Sequence, residues 1–270
     1  MKLKDRVALV TGTSPNIGGG IVEALAAEGA KIVAVDSEAA NAADCARYIE
    51  STGIEALPLT CDVRDEGQVQ ATVDAALARF GRIDILVNNA VFYCRKGVLQ
   101  MSYEEWLAQS GVILGGAFLF TKYAGRAMVE RKSGAIINII STAGHQGEPN
   151  NVCYSTCKHG LMNFTRSTAM EFSGHGIRVN SLTPTATDIA ERFERAARWG
   201  RNEGPLPDMG GIYAFAKRVP LQKLPKPSDY GKAAVFLASD DASMITGTDL
   251  RVDAGAVAKY WAWDPADGVR

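Results

Sequence analysis

Short runs rich in β-branched and other aliphatic residues recur along the chain, and longer segments of helical periodicity separate them. This alternation is typical of βαβ units, in which parallel strands form one sheet and helices cover both of its faces. It predicts a doubly wound α/β fold. The expected strands are residues 6–11, 31–36, 56–63, 83–89, 135–141, 177–183 and 249–253.

Glycines close the first three helical segments. Gly29, Gly53 and Gly81 each stand just before the next predicted strand. Glycine adopts the left-handed conformation that ends many helices without a steric penalty, so each is expected to follow the last turn of a helix.

Size and charge limit the classes of partner. The chain has 270 residues, 47% of them hydrophobic, enough for one large α/β domain or two small ones. Its 29 basic and 30 acidic residues give a formal net charge of −1, which offers no field to attract nucleic acid or anionic lipid. The start is too polar for a signal peptide, and no run of about 18 apolar residues occurs. We therefore expect a cytoplasmic protein that binds a small molecule, with no nucleic acid and no membrane partner.

The cysteines and histidines do not suggest a metal site. The histidines, His145, His159 and His175, lie 14 and 16 residues apart without a cluster of ligands around them. The cysteines show no paired CxxC spacing, so we expect buried reduced thiols and no metal. They are Cys45, Cys61, Cys94, Cys153 and Cys157.

The stretch TGTSPNIGGG at 11–20 predicts a turn that binds phosphate. Gly12 follows a strand and allows a tight turn, and Gly18 lets the start of the next helix approach a pyrophosphate. Asn16 stands where such a turn usually has its middle glycine; asparagine tolerates positive φ best after glycine, so we expect it to preserve the turn. An ordinary strand-to-helix loop would have similar residues.

Asp36 ends the second predicted strand, about 20 residues after the turn, where an acid can bind the ribose hydroxyls of adenosine. Its charge would repel a 2′-phosphate, and Ser37 is not basic, so the sequence favours NAD over NADP. Capping of the following helix is the alternative role.

Further motifs accompany these features, namely Asp62-Val63, Asn88-Asn89-Ala90, Ser141 and Tyr154 with Lys158 four residues later. In this order and spacing the sequence resembles the classical short-chain dehydrogenases/reductases over almost its whole length. The resemblance implies one Rossmann-like domain over residues 1–270, with a seven-stranded parallel sheet flanked by helices on both faces, in a homotetramer or homodimer. The predicted cofactor-binding residues are Gly12, Asn16, Ile17, Gly18, Asp36, Asp62, Val63, Asn89, Ala90, Tyr154, Lys158, Pro184 and Thr187.

The chemistry requires a base, because oxidation of an alcohol removes a hydride from carbon and a proton from oxygen. A tyrosine phenol titrates at about pH 10. Lys158 lies on the same helical face as Tyr154, and its ammonium, with a positive nicotinamide ring, is expected to lower the pKa of the phenol. We predict Tyr154 as the general base and Ser141 as the group that holds the substrate oxygen. In the family picture Lys158 also binds the nicotinamide ribose.

Several positions depart from the family pattern. Ile113 aligns with an asparagine that, in the family, helps a helix kink hold a water that relays protons to the lysine. Either a backbone carbonyl still holds the water, with Gly111, Gly115 and Gly116 allowing the bend, or proton delivery takes another route. Val91 and Thr185 replace glycines, which is tolerable if φ is negative. The usual carboxamide-binding threonine falls on Ile189, which leaves Thr187 as the candidate.

Residues 188–227 interrupt the alternation and predict a lid over the substrate, with mobility from Gly200, Gly204, Gly210 and Gly211. Its arginines, Arg192, Arg195, Arg198 and Arg201, are expected to form salt bridges on a solvated helix face, or to turn one or two side chains inward to an anionic substrate. The other wall would be residues 143–151, an ordinary polar loop in the alternative. The substrate candidates are His145, Gln146 and Arg192. The tail, residues 256–270, carries Trp261 and Trp263 for surface packing or subunit contact.

The sequence thus predicts an NAD-dependent oxidoreductase that interconverts a secondary alcohol and a ketone on a small cyclic, polyol, sugar-like or hydroxy-acid substrate. An enoyl reductase is the first alternative, although the tyrosine and lysine of that branch are more widely separated than Tyr154 and Lys158. The second is a nucleotide sensor without turnover, for which Ile113 is the support. The substrate, direction and stereochemistry stay open.

Overall fold

A computed structural model describes residues 1–260, 262 and 264. Seven parallel strands form one sheet in the order β3-β2-β1-β4-β5-β6-β7, which confirms the predicted fold class. The strands are β1 (Val7–Thr11), β2 (Lys31–Asp36), β3 (Ala56–Thr60), β4 (Ile85–Asn88), β5 (Gly134–Ile139), β6 (Ile177–Pro184) and β7 (Asp249–Val252). Strands β3, β4 and β5 end earlier than predicted, because the chain leaves the sheet there to form loops. The strand order reverses between β1 and β4, which opens a crevice beyond their carboxyl ends.

Helices cover both faces of this sheet. They are α1 (Ile17–Ala27), α2 (Ala39–Ser51), α3 (Glu66–Phe80), α4 (Tyr103–Ser110), α5 (Gly116–Arg131), α6 (Val152–Phe172), α7 (Ala190–Arg198), α8 (Gly210–Ala216) and α9 (Pro227–Ala238). Side chains alternate along each strand, so Ala8 and Val10 of β1 join one buried core with α1, α2 and α9. Val7 and Leu9 join a second core with α3, α5 and α6. The two cores hold the strand ends rigidly beneath the crevice.

The glycines predicted to end helices have the expected backbone. Gly29, Gly53 and Gly81 have φ values of 89°, 86° and 73°, in the left-handed region that glycine enters without strain. This confirms the first three helix ends and explains the abrupt return of the chain to the sheet.

A π-helix, Gly111–Gly115, joins α4 to α5. The continuous helical stretch Tyr103–Arg131 is, within the described residues, the one helix long and apolar enough to cross a membrane by length and composition. Half of its most apolar window is buried against other elements of the fold, so this feature alone says little about a membrane.

The predicted lid contains α7 and α8. Gly200 and Gly204 have φ values of 80° and 75° between the two helices, whereas Gly210 and Gly211 belong to α8 and do not form a loop. Of the tail, Trp261, Trp263 and residues 265–270 lie outside the described residues, and so does the predicted tryptophan packing.

Candidate active site

The glycine turn after β1 depends on two glycines. Gly12 has a φ of 72°, and its amide donates to the Val35 carbonyl at 2.8 Å. A Cβ on Gly12 would lie 3.0 Å from the Ala90 Cα, and one on Gly18 would lie 1.9 Å from the Gly12 carbonyl oxygen. A side chain at Gly18 is therefore incompatible with this turn, and α1 starts directly against its backbone.

Asn16 does not have the predicted positive φ. It precedes α1 with φ −94° and ψ −133°, which is not the left-handed region, so the expectation that it imitates glycine at positive φ was wrong. Gly12 supplies the left-handed residue of the turn. The Asn16 Oδ1 is buried without a hydrogen-bond partner among the described residues, and burial of an unpaired polar atom is costly. Asn16 thus brings an unused acceptor to the crevice.

A pocket of about 510 Å³ lies in this crevice. Nine of the predicted cofactor residues line it, namely Gly12, Asn16, Ile17, Gly18, Asp36, Asp62, Val63, Asn89 and Ala90. The other four, Tyr154, Lys158, Pro184 and Thr187, are not in its lining. The Thr187 hydroxyl donates to the Thr185 carbonyl at 3.1 Å and lies 3.1 Å from the Tyr230 hydroxyl.

Asn89 fastens β4 to the turn. Its side-chain Nδ2 donates to the Thr11 carbonyl at 3.1 Å and to the Gly12 carbonyl at 2.7 Å, and its backbone amide donates to Thr11 Oγ1 at 3.0 Å.

The residues that replace family glycines, Val91 and Thr185, are not among the residues with positive φ. Both are therefore accommodated without backbone strain.

Asp36 is 8% exposed, and one of its two carboxylate oxygens accepts hydrogen bonds from the protein. Its Oδ1 accepts from the Glu38 amide at 3.0 Å and from Asn41 Nδ2 at 3.1 Å, which supports the start of α2 as the capping alternative expected. Its Oδ2 has no hydrogen bond from the described residues. The same carboxylate therefore keeps one acceptor for a ligand in the pocket.

Acidic groups dominate the charge in this pocket. Asp36, Glu38 and Asp62 line it with a single cation, Arg64. Arg64 already contacts Asp62 through Nη2 at 2.6 Å, and this ion pair lowers the pKa of the Asp62 carboxyl. The pocket thus offers no free cation for a 2′-phosphate within the described chain.

A hydrogen-bonded chain connects Asp36 to the lid. Asn41, which donates to Asp36, accepts from Arg201 Nη1 through its Oδ1 at 2.6 Å, and Arg201 Nε donates to Asp44 at 2.5 Å. Arg201 lies just beyond α7 in the sequence. The end of α7 is therefore fixed to the rim of this pocket.

Ser141, Tyr154 and Lys158 come together where β5 ends and α6 begins. Lys158 Nζ donates to the Ile139 carbonyl at 2.6 Å and lies 5.5 Å from the centroid of the Tyr154 ring. Ser141 follows β5, and its hydroxyl lies near enough to the phenol to lower the pKa of Tyr154. The one-turn spacing on α6 puts the ammonium beneath the ring.

Burial affects the pKa of the Tyr154 phenol more strongly than the neighbouring Ser141 hydroxyl does. It raises the pKa of Tyr154 to about 12 and lowers the pKa of Lys158 to about 8. Removal from water disfavours both charged forms. The expected lowering of the phenol pKa includes the charge of a bound nicotinamide, so it stays a prediction. A lowered pKa at Tyr154 needs a further positive charge in the site.

Ile113 lies within the π-helix and is 2% exposed. The π-helix closes through the Gly116 amide, which donates to the Gly111 carbonyl. The π-helix thus lies where the glycines were expected to allow a bend, although residue 113 has an apolar side chain.

The predicted substrate residues are not gathered at the tyrosine. His145 Nε2 lies 3.1 Å from both Thr183 Oγ1 and Asp249 Oδ2, and Arg192 Nε pairs with Glu203 at 2.9 Å. Gln146 is exposed. Of these three, only Gln146 has a side chain without a partner among the described residues.

The Arg195 side chain does not lie on a solvated helix face, which was the first expectation for the arginines of this segment. It is 1% exposed, its Nε lies 3.0 Å from Glu23, and its Nη2 donates to Glu191 at 2.5 Å. Its Nη1 donates to the carbonyl of Pro15 in the glycine turn at 3.2 Å. Gly19 leaves the space for it, since a Cβ there would lie 2.8 Å from the Arg195 Cδ. The arginine turns inward, but toward carboxylates of its own chain.

The sequence did not single out Tyr93. Its ring contacts the Tyr154 ring edge to face, with centroids 5.0 Å apart. Asn151 Nδ2 lies 3.4 Å from the Tyr93 hydroxyl and donates to Glu148 at 2.9 Å. The exposed aromatic run at 92–93, directly after Asn89 and Ala90, was the available signal for a wall of the site.

Comparisons with known proteins agree on one family. The sequence profile of the family described as Enoyl-(Acyl carrier protein) reductase matches residues 12–257. D-threitol dehydrogenase of Mycolicibacterium smegmatis is 37% identical over 258 residues, which cover 96% of this chain and 95% of that protein. Galactitol 2-dehydrogenase of Agrobacterium fabrum is 36% identical, covering 94% and 98%. The structure of NAD⁺-bound xylitol dehydrogenase superposes with a TM-score of 0.84 at 29% identity, covering 93% and 99%.

Proposed function

Because this chain belongs to the classical short-chain dehydrogenase/reductase family, and is therefore an oxidoreductase, we propose that it interconverts a secondary alcohol and a ketone with NAD(H). When bound, the nicotinamide ring accepts or donates the hydride. The turn at Gly12 and Gly18, the start of α1 and the free Oδ2 of Asp36 suit the pyrophosphate and the ribose of a dinucleotide. The acidic rim favours NAD over NADP.

Tyr154 is the proposed general acid/base. In alcohol oxidation its phenolate takes the hydroxyl proton of the substrate, and in ketone reduction its phenol returns that proton. Ser141 donates to the substrate oxygen and holds it near the phenol. Lys158 supplies positive charge under the ring. Because burial raises the pKa of Tyr154, the phenolate needs a second positive charge, which a bound oxidised nicotinamide would supply.

The proposed substrate is a small polyol or a cyclic alcohol. The named relatives act on threitol and galactitol, and the named structure is a xylitol dehydrogenase. Glu148, Asn151 and Gln146 bring polar groups to the loop beside Tyr154, which suits hydroxyl recognition. Tyr93 provides an exposed ring for the carbon skeleton.

We also propose that the chain assembles into a homotetramer or homodimer. Tyr103, Leu107 and Phe118 on the α4–α5 stretch are 71%, 49% and 52% exposed, and exposed apolar side chains on one stretch favour a protein contact. Size-exclusion chromatography with light scattering tests this.

The observation that carries the catalytic proposal is the cluster of Lys158 under the Tyr154 ring with Ser141 beside the phenol. We expect formation of NADH at 340 nm with at least one of threitol, galactitol, xylitol or a cyclic secondary alcohol, and a loss of about 10³-fold or more in kcat in Tyr154→Phe with NAD binding retained. Phe92→Tyr, on the rim of the pocket, is the matched control. Activity of Tyr154→Phe equal to the wild type would refute the assignment; tight NAD binding without turnover would favour a sensor.

A further inference from the structure

Helix α7 packs against the outer side of the glycine turn. A Cβ on Gly19 would lie 2.8 Å from Arg195 Cδ and 2.9 Å from Trp199 Cη2, so a larger residue at this position would displace one of these side chains. Trp199 is 2% exposed, and its Nε1 donates to Glu23 of α1 at 3.1 Å. The first helix of the predicted lid is therefore held against the start of α1.

The Arg195 guanidinium contacts three groups in three directions. Its Nε lies 3.0 Å from Glu23, and its Nη2 donates to Glu191 at 2.5 Å. The second Glu191 oxygen accepts from Ser228 Oγ of α9 at 2.7 Å. The remaining contact goes to an uncharged group, because Nη1 donates to the Pro15 carbonyl at 3.2 Å. Arg195 thus connects two carboxylates to the backbone of the glycine turn.

The contact with Pro15 fixes the direction of the next amide. The peptide bond between Pro15 and Asn16 is trans, so its carbonyl and its N–H point to opposite sides. Because the carbonyl faces Arg195, the Asn16 amide points away from α7. Ser14, Asn16 and Ile17 line the pocket of about 510 Å³, whereas Pro15 and Arg195 do not. The Asn16 amide is therefore directed toward the pocket.

The Asn16 amide donates to no acceptor among the described residues. The carbonyls beside it are used within the protein, since Ser14 accepts from the Gly19 amide and Asn16 accepts from the Gly20 amide, both at 2.9 Å. A free N–H at the start of a helix suits an anion, because the helix dipole adds to the attraction. This amide is thus available to a phosphate group in the pocket.

We propose that Arg195 is a positioning residue for the cofactor: it holds the Pro15 carbonyl on the α7 side and thereby directs the Asn16 amide at the pyrophosphate of a dinucleotide. Glu23 and Glu191 balance the charge of the guanidinium, so its effect on a phosphate is one of geometry. The inference rests on the proposed function, which names the dinucleotide. It assigns α7 to the cofactor site, although the sequence placed this helix in a lid over the substrate.

Arg195→Lys removes the contact with Pro15 and keeps the cation. One ammonium cannot serve three acceptors in three directions, and the two carboxylates hold it more strongly than a carbonyl does. The probe is ADP, which contains the diphosphate group and needs no turnover. We expect its Kd, measured by calorimetry, to rise about 5-fold, the value of one hydrogen bond.

Arg198→Lys is the matched control. Arg198 pairs with the same Glu23 at 3.0 Å, and none of its described contacts reaches the turn, so the Kd for ADP should stay within about twofold. In the complete reaction, Arg195→Lys should raise KM for NAD by about 5-fold and leave kcat within about twofold. A role in stability alone would not produce this split between KM and kcat.

An unchanged Kd for ADP in Arg195→Lys, or an equal rise in Arg198→Lys, would overturn the positioning role. A crystal structure of the wild-type chain with ADP gives a direct readout: we expect the Asn16 amide within hydrogen-bond distance of a phosphate oxygen, and a diphosphate bound without this amide refutes the inference. Should Tyr154→Phe remain fully active, the proposed function fails, yet the measurements with ADP still decide the role of Arg195.

Discussion

Replacement of Lys158 by methionine should stabilise the folded chain at neutral pH in the absence of cofactor. The side chain is 3% exposed, and burial lowers the pKa of its ammonium from 10.5 to about 8. Because the unfolded state then binds more protons than the folded state between about pH 8 and pH 10.5, the charge costs stability below pH 8, and the cost disappears as the pH rises. The difference of about 2.5 pH units corresponds to about 3 kcal/mol at pH 7.

The methionine variant also loses the hydrogen bond to the Ile139 carbonyl, at a cost of about 1 kcal/mol. The net gain in the free energy of unfolding at pH 7 is therefore about 2 kcal/mol, or a rise in Tm of about 4–8 °C. At pH 10.5 we expect the order to reverse, with Lys158→Met about 1 kcal/mol less stable than the wild type, since only the lost hydrogen bond remains.

Urea unfolding at pH 7 and pH 10.5, with the wild type and variant compared at each pH, measures this change. Lys122→Met is the matched control: Lys122 pairs with Glu66 near the surface, this pair raises its pKa, and its loss should change the free energy of unfolding little at either pH. If Lys158→Met is equally destabilised at both pH values, the ammonium is not desolvated and the reasoning is wrong.

Three further substitutions test the site. Arg195→Met removes the cation of Glu191 and one of the two cations that pair with Glu23, and both carboxylates are partly buried. It should lower the free energy of unfolding by about 3 kcal/mol in urea, whereas Arg192→Met, three residues earlier, should cost less than about 1 kcal/mol. Equal losses would contradict the buried position of Arg195. Gly18→Ala brings a Cβ to 1.9 Å from the Gly12 carbonyl oxygen and should weaken NAD binding, measured by calorimetry, by about 10-fold or more. An unchanged Kd would show that the turn adapts to a side chain at this position. Asp36→Ala should raise KM for NAD by about 10-fold and lower the preference for NAD over NADP; an unchanged ratio of kcat/KM for the two cofactors would remove Asp36 from the choice of cofactor.

The sequence predicted the sheet well because local and tertiary signals agree there. Strand β2 has the predicted bounds, since Lys31–Asp36 is a continuous aliphatic run ended by an acid. The helix ends at Gly29 and Gly53 were also predictable, because their positive φ restricts the choice of residue. The carboxyl ends of strands were less predictable, since Cys61 and Val63 remain in the apolar core after the chain leaves the sheet at Thr60.

The sequence was less informative about properties that depend on contacts between residues distant in the chain. Arg195 has the helical spacing of a solvated salt bridge, and only the fold shows that Glu23, distant in sequence, lies beneath it. The pKa of Tyr154 depends on burial, which no spacing between a tyrosine and a lysine reports. The roles of Ser141, Tyr154 and Lys158 stay predictions until the variants are measured.

The chain of hydrogen bonds from Asp36 through Asn41 to Arg201 has a consequence for attempts to redesign coenzyme use. Deleting the carboxylate removes more than a repulsive charge, because Asn41 loses its acceptor and no longer orients the guanidinium beyond α7. That guanidinium is a candidate ligand for an added phosphate, but Asp44 restrains it. A switch to NADP therefore requires that Arg201 be released from the Asp44 carboxylate. Asp36 and Asp44 should for this reason be replaced together.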